Sequence, residues 1–126
     1  MLQSDAFTQR VMSDLEPDLL NLLQTRVNSF LKWDLVRFFG DNPGTVDGAA
    51  QLARYIGRDP VAVQTELDDL ARQGILTRDE RAQPYVYALS NDAATRALVE
   101  RFLRACQDRD FRVKAMYHVM RGAQVH

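Results

Sequence analysis

The chain has 126 residues, of which 46% are hydrophobic and 26% are charged, and its formal net charge is −1 at pH 7. These values are typical of one soluble globular domain that can bury a core. The single cysteine, Cys106, excludes an intramolecular disulfide framework, and no apolar run is long enough to span a membrane. The N-terminus lacks the basic and apolar regions of a signal peptide.

Residues 1–28 are predicted to form an N-terminal helical extension. Ser4 can cap a first helix over 4–15, in which Phe7 and Val11 lie on one face. Pro17 interrupts this pattern and starts the next turn. The following segment, 18–27, is apolar over more than half of its circumference. We therefore expect it to pack inside the domain or against a partner chain.

The next helix is predicted over 30–39, with Asn28 or Ser29 as its cap, although one continuous helix through 18–39 is the alternative. A glycine- and proline-containing break follows at 40–44. The apolar residues of this helix are the predicted centre of the core: Phe30, Trp33, Leu35, Val36, Phe38 and Phe39.

Two short helices separated by a tight turn are predicted between residues 45 and 73. In the first helix, Leu52, Ala53 and Ile56 share one face. Gly57 stands where a helix end needs a left-handed residue. Asp59 can cap the second helix, since its carboxylate can accept free N–H groups of the first turn. The second helix has Pro60 in its first position, and its buried stripe is Val63, Leu67 and Leu70.

A β-hairpin is predicted after Gly74, the glycine that closes the second helix. Residues 75–78 and 85–89 are rich in β-branched, aromatic and aliphatic side chains. The polar segment 79–83 between them can form the turn. The sequence therefore predicts a mainly α fold with a small β-hairpin, an α+β class.

The order helix, turn, helix, hairpin resembles the winged helix-turn-helix superfamily, in particular MarR- and ArsR-like prokaryotic transcriptional regulators. This resemblance covers residues 29–90 and implies a cytoplasmic, DNA-binding regulator of transcription that needs no cofactor. In the superfamily the second helix of the pair lies in the major groove of duplex DNA, and the hairpin or "wing" touches the flanking backbone or minor groove. Here these elements are helix 60–73 and wing 75–89.

The resemblance implies a set of DNA-contacting residues around that helix. Gln64 can bond adenine through its amide, and Thr65 can reach a phosphate or a base edge. An apolar side chain at the helix N-terminus can touch a thymine methyl group, and arginines can reach phosphates. The predicted DNA-binding residues are Arg54, Arg58, Val61, Ala62, Gln64, Thr65, Asp68, Arg78, Arg81 and Gln83.

The second helix departs from the superfamily in its charge. Glu66, Asp68 and Asp69 cluster there, and the basic Arg72 is expected to pair with Asp68 or Asp69 one turn earlier. Segments 1–28 and 29–90 each carry a net charge of −2, whereas 91–126 carries +3. The alternative interpretation is therefore a winged-helix module for protein–protein contact, without direct DNA readout.

Residues 91–126 are predicted to form a C-terminal helix capped by Ser90 or Asn91 and interrupted at 108–110. Beyond the interruption the apolar residues fall into two rows. With the N-terminal helices, this segment is the predicted dimerisation element of a homodimer, since two-fold dimers are the commonest soluble oligomers. The alternative is that the helices only cover the back of the domain. The apolar rows are Leu98, Phe102 and Cys106, then Phe111, Ala115 and Val119, and beside these Val113, Met116 and Met120.

The sequence offers no pattern for an enzyme or a metal site. Cys106 and His118 are twelve residues apart, too loose to indicate a nucleophile and its base. We expect Cys106 to be a small core residue and His118 to lie on a helix surface or a dimer interface. No metal-ligand spacing and no phosphate-binding glycine loop is present. A small-molecule effector would have a site if Trp33, Tyr55 or Tyr117 lined a cavity.

Overall fold

The computed structural model describes residues 15–125, with side chains described for residues 15–121. This part of the chain is mainly helical and contains one two-stranded antiparallel hairpin, which confirms the predicted α+β class. Apart from Leu15, the helix predicted over 4–15 lies outside the described residues. The elements in chain order are α1 (Pro17–Thr25), α2 (Phe30–Asp41), α3 (Ala49–Ile56), α4 (Pro60–Arg72), β1 (Leu76–Asp79), β2 (Val86–Leu89), α5 (Ala93–Ala105) and α6 (Arg109–Val125).

α1 and α2 are separate helices, which confirms the predicted start of a new helix at residue 30 and excludes the alternative of one continuous helix. The Ser29 hydroxyl accepts a hydrogen bond from the backbone N–H of Lys32 at 3.1 Å, which is the geometry of an N-cap. Ser29 itself has extended backbone angles, so the chain changes direction before α2 begins. The cap therefore sets where α2 starts.

The core is centred on α2, as predicted, with one exception. Trp33, Val36 and Phe39 are buried, and the Trp33 ring meets the Phe102 ring of α5 edge to face at 5.0 Å. Phe30 was predicted to be buried but is 42% exposed. Phe30 and Phe39 are nine residues apart, which places them on opposite sides of an α-helix.

α2 and α5 approach each other closely at Gly40. A Cβ atom added at Gly40 would overlap the side chain of Leu103 on α5. The glycine therefore permits a helix contact that a larger residue would push apart.

The hairpin is extended by a third short segment. β1 and β2 pair with Leu76 opposite Leu89 and Arg78 opposite Tyr87, and both strands begin one residue later than predicted. On the other side of β2, Tyr87 exchanges two backbone hydrogen bonds with Asp47, which precedes α3. The segment before the helix pair is thus tied to the hairpin that follows it.

The terminal helices pack on each other within one chain. Leu19, Leu22 and Leu23 of α1 are buried, and α1 packs against α5 and α6. α5 ends at Ala105 and α6 begins at Arg109, which confirms the predicted interruption. Among residues 15–125, no helix is both long enough and apolar enough to cross a membrane.

Two predictions for the C-terminal helices are wrong. The cap of α5 is Asp92, whose carboxylate accepts the N–H of Thr95 at 2.9 Å. The Ser90 hydroxyl instead accepts the N–H of Asp92, just outside the helix. His118 is buried and not on the surface, because it lies on the same face of α6 as the buried Phe111.

Candidate nucleic-acid interface

The turn between α3 and α4 has the predicted geometry. Gly57 has φ = 68°, in the left-handed region that glycine adopts without a Cβ penalty, and the N–H of Arg58 bonds the Ala53 carbonyl at 3.0 Å. The Asp59 carboxylate accepts the N–H of Ala62 at 3.0 Å, with Pro60 in the first helical position. Two local signals therefore end α3 and start α4 within three residues.

α4 has a buried face and an outward ridge. Val63, Leu67 and Leu70 are fully buried, as predicted. Val61 and Thr65, four residues apart, are exposed on the opposite side, and Ala62 is exposed beside them. The hydroxyl of Thr65 already donates to the Val61 carbonyl at 3.2 Å. The exposed surface of the first two turns is therefore uncharged and mostly apolar.

Two of the three carboxylates on α4 face α2. Lys32 is 6% exposed, and its ammonium group forms an ion pair with Asp69 and lies 3.6 Å from Glu66. Glu66 also accepts the Ser29 hydroxyl at 2.9 Å. Arg72 pairs with Asp69 at 2.9 Å, as predicted. Hydrogen bonds from Lys32 and then Arg72 hold the pKa of Asp69 below its ordinary value.

The third carboxylate, Asp68, faces the hairpin and joins a polar network. It accepts hydrogen bonds from the buried Tyr87 phenol, from Arg78 at 3.1 Å and from Gln64 at 3.3 Å. Gln64 also donates to the Tyr87 oxygen. Partial burial alone would raise the pKa of Asp68, but these hydrogen bonds outweigh it and lower that pKa. Burial, and then the bond to Asp68, raises the pKa of Tyr87 to about 12.

The hairpin arginines are paired with acids of their own chain. Arg78 bonds Glu80 as well as Asp68, and its guanidinium lies 5.0 Å from the centre of the Tyr85 ring. Arg81 pairs with Asp79 at 3.0 Å, but the side chain of Arg81 is 92% exposed. Gln83 donates a long bond of 3.4 Å to the Glu80 carbonyl. The hairpin thus carries one arginine with two ion pairs, Arg78, and one highly exposed arginine with a single ion pair, Arg81.

Two arginines lie on the α3 side of the helix pair. Arg58, in the turn, pairs with Asp34 of α2 at 2.6 Å, and both side chains are well exposed. Arg54, in the last turn of α3, is exposed and has no hydrogen bond or ion pair within the described part of the chain. Arg54 is therefore the predicted phosphate contact that is most readily available.

The structure separates the predicted site residues into three groups. Gln64, Asp68 and Arg78 are brought together in the network around Tyr87, where their polar groups bond each other. A second group lies on the outward surface of α4 and a third group flanks it on α3 and the hairpin loop. The second group is Val61, Ala62 and Thr65, and the third is Arg54, Arg58, Arg81 and Gln83.

Sequence reasoning missed three residues that organise this surface. Ser29 and Lys32 hold the acids of α4 against α2, and Tyr87 joins α4 to the hairpin. Lys32 had a usable signal, since a lysine inside the apolar run 30–39 needs an acidic partner if it is buried. No sequence pattern indicates the role of Tyr87, because only the tertiary contact places its hydroxyl between Gln64 and Asp68.

The other candidate groups lie apart from this surface. Cys106 is buried, and burial raises the pKa of its thiol to about 11, so it remains an inert core residue at neutral pH. Trp33 is buried against Phe102, whereas Tyr55 stacks on Phe38 at 5.3 Å at the surface. No group of three metal-ligating side chains occurs among the described residues.

A scan against models of known protein families found no match. Searches of curated proteins and of solved structures also found no significant match.

Proposed function

We propose that this chain is a winged helix-turn-helix protein that binds duplex DNA and regulates transcription. The observation that carries the proposal is the arrangement of α3, the Gly57 turn and α4, with the first turns of α4 exposed and the hairpin beside them. The pairing of Asp47 with Tyr87 adds support, because it ties the segment before α3 into the hairpin sheet. In this geometry α4 enters the major groove and the hairpin lies along the flanking backbone.

The acids of α4 do not oppose this function as strongly as their number in the sequence indicates. Glu66 and Asp69 are compensated by Lys32, and Asp68 is compensated by Arg78. The outward ridge from residue 60 to residue 65 carries no charge. A groove-facing surface that is neutral and compact avoids the repulsion that an unpaired carboxylate would meet near phosphates.

The phosphate contacts come from the exposed arginines. Arg54 is available, and the ion pairs of Arg58 and Arg81 are exposed, where such pairs contribute little because water and salt screen them. A phosphate can therefore replace the carboxylate partner of either residue at little cost. Duplex affinity is then expected to be modest and strongly dependent on salt.

The second candidate function is a winged-helix module for protein–protein contact. The observation that favours it is the complete pairing of Arg78 with Asp68 and Glu80, which removes the central wing cation from phosphate binding. The net charge of −2 over residues 29–90 also favours contact with a protein over contact with DNA.

A homodimer is also part of the proposal, and the exposed apolar residues of α6 support one interface for it. The buried rows of α1 and α6 are used within one chain, so they are not free for a second copy. The other row of α6 remains exposed: Val113 at 59%, Met116 at 41% and Met120 at 52%. Residues at spacings of three and four form a continuous helical stripe that a second copy can cover.

The test of DNA binding is a salt titration by fluorescence anisotropy with mixed genomic duplex. We expect binding at low salt that weakens steeply as salt rises. Arg54→Ala and Arg81→Ala should each weaken binding to every sequence, whereas Arg104→Ala, an exposed arginine on α5, is the matched control. Absence of binding at low salt would exclude DNA as the partner and favour the protein-contact module.

The test of the dimer is light scattering on two lysine variants. Val113→Lys should yield a monomer, because it places a charge in the proposed stripe. Val46→Lys is the control, since Val46 is equally exposed at 59% but precedes α3. A wild-type monomer, or dissociation in both variants, would contradict this interface.

A further inference from the structure

The guanidinium group of Arg78 on β1 is held between two carboxylates that differ in their exposure to solvent. Its Nη1 atom donates to Asp68 of α4 at 3.1 Å, and its Nη2 atom donates to Glu80 in the hairpin loop. The side chain of Asp68 is 28% exposed, whereas that of Glu80 is 57% exposed. The centre of the Tyr85 ring lies 5.0 Å from the same guanidinium group. Arg78 therefore has one inner and one outer acidic partner.

The two carboxylates also differ in how many other groups hold them. Asp68 accepts further hydrogen bonds from the buried Tyr87 and from Gln64, so its position does not depend on Arg78 alone. Among the described residues, the Glu80 carboxylate accepts a hydrogen bond from Arg78 only. An exposed ion pair contributes little free energy because water and salt screen it. Glu80 is therefore the partner that another anion can replace.

We propose that Glu80 masks Arg78 in the free protein, and that a phosphate of duplex DNA takes the place of the Glu80 carboxylate on Nη2. This inference rests on the proposed duplex-binding function. Carboxylate and phosphate oxygens are bound by the same N–H donors of arginine, so they compete for one position. Asp68 keeps its bond to Nη1 during the exchange, so the pairing of Arg78 with two acids is compatible with phosphate binding.

The mask limits when Arg78 adds to the affinity for DNA. The charge of Glu80 opposes the approach of a phosphate until that phosphate can bond Nη2 directly. Arg78 therefore contributes when the hairpin lies against the DNA backbone, and it contributes little to looser encounters. Arg54 differs in this respect, because it has no carboxylate partner within the described part of the chain.

The test is the affinity for mixed genomic duplex at low salt, measured by fluorescence anisotropy for wild type, Glu80→Gln, Arg78→Met and the double variant. Glu80→Gln removes the competing charge and should tighten binding about three- to five-fold, the factor that corresponds to one exposed ion pair. In the Arg78→Met background the same substitution should leave affinity nearly unchanged, because the cation that Glu80 masks is gone. Methionine retains the apolar stem of the arginine beside Tyr85.

A matched control separates the mask from the overall charge of the protein. Glu100 is an exposed acid on α5, and Glu100→Gln makes the same change in net charge without touching the hairpin. We expect it to leave the affinity unchanged. Urea unfolding should show wild-type stability for Glu80→Gln, because its ion pair is exposed. If Glu80 only supported the hairpin structure, its substitution would weaken binding and not strengthen it.

Three outcomes would overturn the inference. They are unchanged or weaker binding by Glu80→Gln, equal tightening by this substitution in the Arg78→Met background, and tightening by Glu100→Gln as large as that by Glu80→Gln. In each case duplex binding by the wild type would still stand, so the proposed function survives. If neither the wild type nor Glu80→Gln binds duplex at low salt, the proposed function itself fails, and the inference fails with it.

Discussion

The substitution Lys32→Met tests whether the α2–α4 ion cluster stabilises the fold. Lys32 is buried, and the side chains of its partners Glu66 and Asp69 are only 23% and 26% exposed. Removal of one member of a buried ion pair costs about 3–5 kcal/mol, because the other charge stays buried without compensation. Asp69 retains Arg72 and some access to water, which reduces the expected loss to about 2 kcal/mol.

The assay is urea unfolding at pH 7 combined with thermal melting. A loss of about 2 kcal/mol corresponds to a decrease of about 8 °C in Tm for a domain of this size. Methionine preserves the apolar stem of the lysine, so the change reports the charge and not a cavity. Asp69→Asn should cost less in the Lys32→Met background than in the wild type. If Asp69→Asn lowers the free energy of unfolding equally in both backgrounds, or if the Tm of Lys32→Met lies within about 1 °C of wild type, the ion cluster does not stabilise the fold.

The same ion cluster predicts that the stability of the fold depends on pH in the acid range. The pKa of Asp69 is lowered in the folded protein, chiefly by Lys32, from an unfolded value of 3.8. A carboxyl group with a depressed folded pKa stabilises the fold above its unfolded pKa, and this contribution is lost as pH falls through the folded pKa. Lys32→Met should therefore lose less stability than wild type on acidification below pH 3.8. If the stability of wild type and of Lys32→Met fell in parallel with pH, the Lys32–Asp69 pair would not be the source of the acid sensitivity.

Three further substitutions test other parts of the structure. Gly40→Ala should destabilise by about 1–3 kcal/mol because its methyl group overlaps Leu103, and Leu103→Ala should recover part of the loss. Tyr87→Phe should cost about 1–2 kcal/mol in urea unfolding, since Asp68 and Gln64 lose a buried partner. Burial, and then Arg121, lowers the pKa of His118 from 6.5, so the unfolded state binds more protons below that value. Wild-type stability should therefore fall between pH 7 and 5, and His118→Leu should show a flatter profile.

Each of these three predictions has a result that would refute it. Wild-type stability of Gly40→Ala would mean that the Leu103 side chain moves away from the added methyl group at no cost. An unchanged urea midpoint for Tyr87→Phe would mean that water replaces the phenol. Identical pH profiles for wild type and His118→Leu would mean that another group titrates between pH 7 and 5.

Local signals in the sequence were sufficient for the helix pair and the hairpin. Gly57, Asp59 and Pro60 act within one or two turns of the backbone, so their effects can be predicted without knowledge of the rest of the fold. The buried stripe Val63, Leu67 and Leu70 follows from helical periodicity alone. Capping at Ser29 was among the predicted alternatives for the same reason.

The surface of the candidate interface was decided by tertiary structure. The sequence shows three acids on α4, but only packing against α2 and the hairpin places Lys32 beside Asp69 and Tyr87 beside Asp68. The partners of Lys32 and Tyr87 are 37 and 19 positions away in the chain, beyond the reach of any local pattern.

The burial of His118 and the exposure of Phe30 were likewise decided by which face each helix turns to its neighbours. By itself the sequence determined where α3 ends, where α4 begins and that a hairpin follows Gly74, because caps, turns and helical periodicity are short-range. Tertiary packing determined which of their charges are compensated and leaves Val61 as the exposed apolar group of α4.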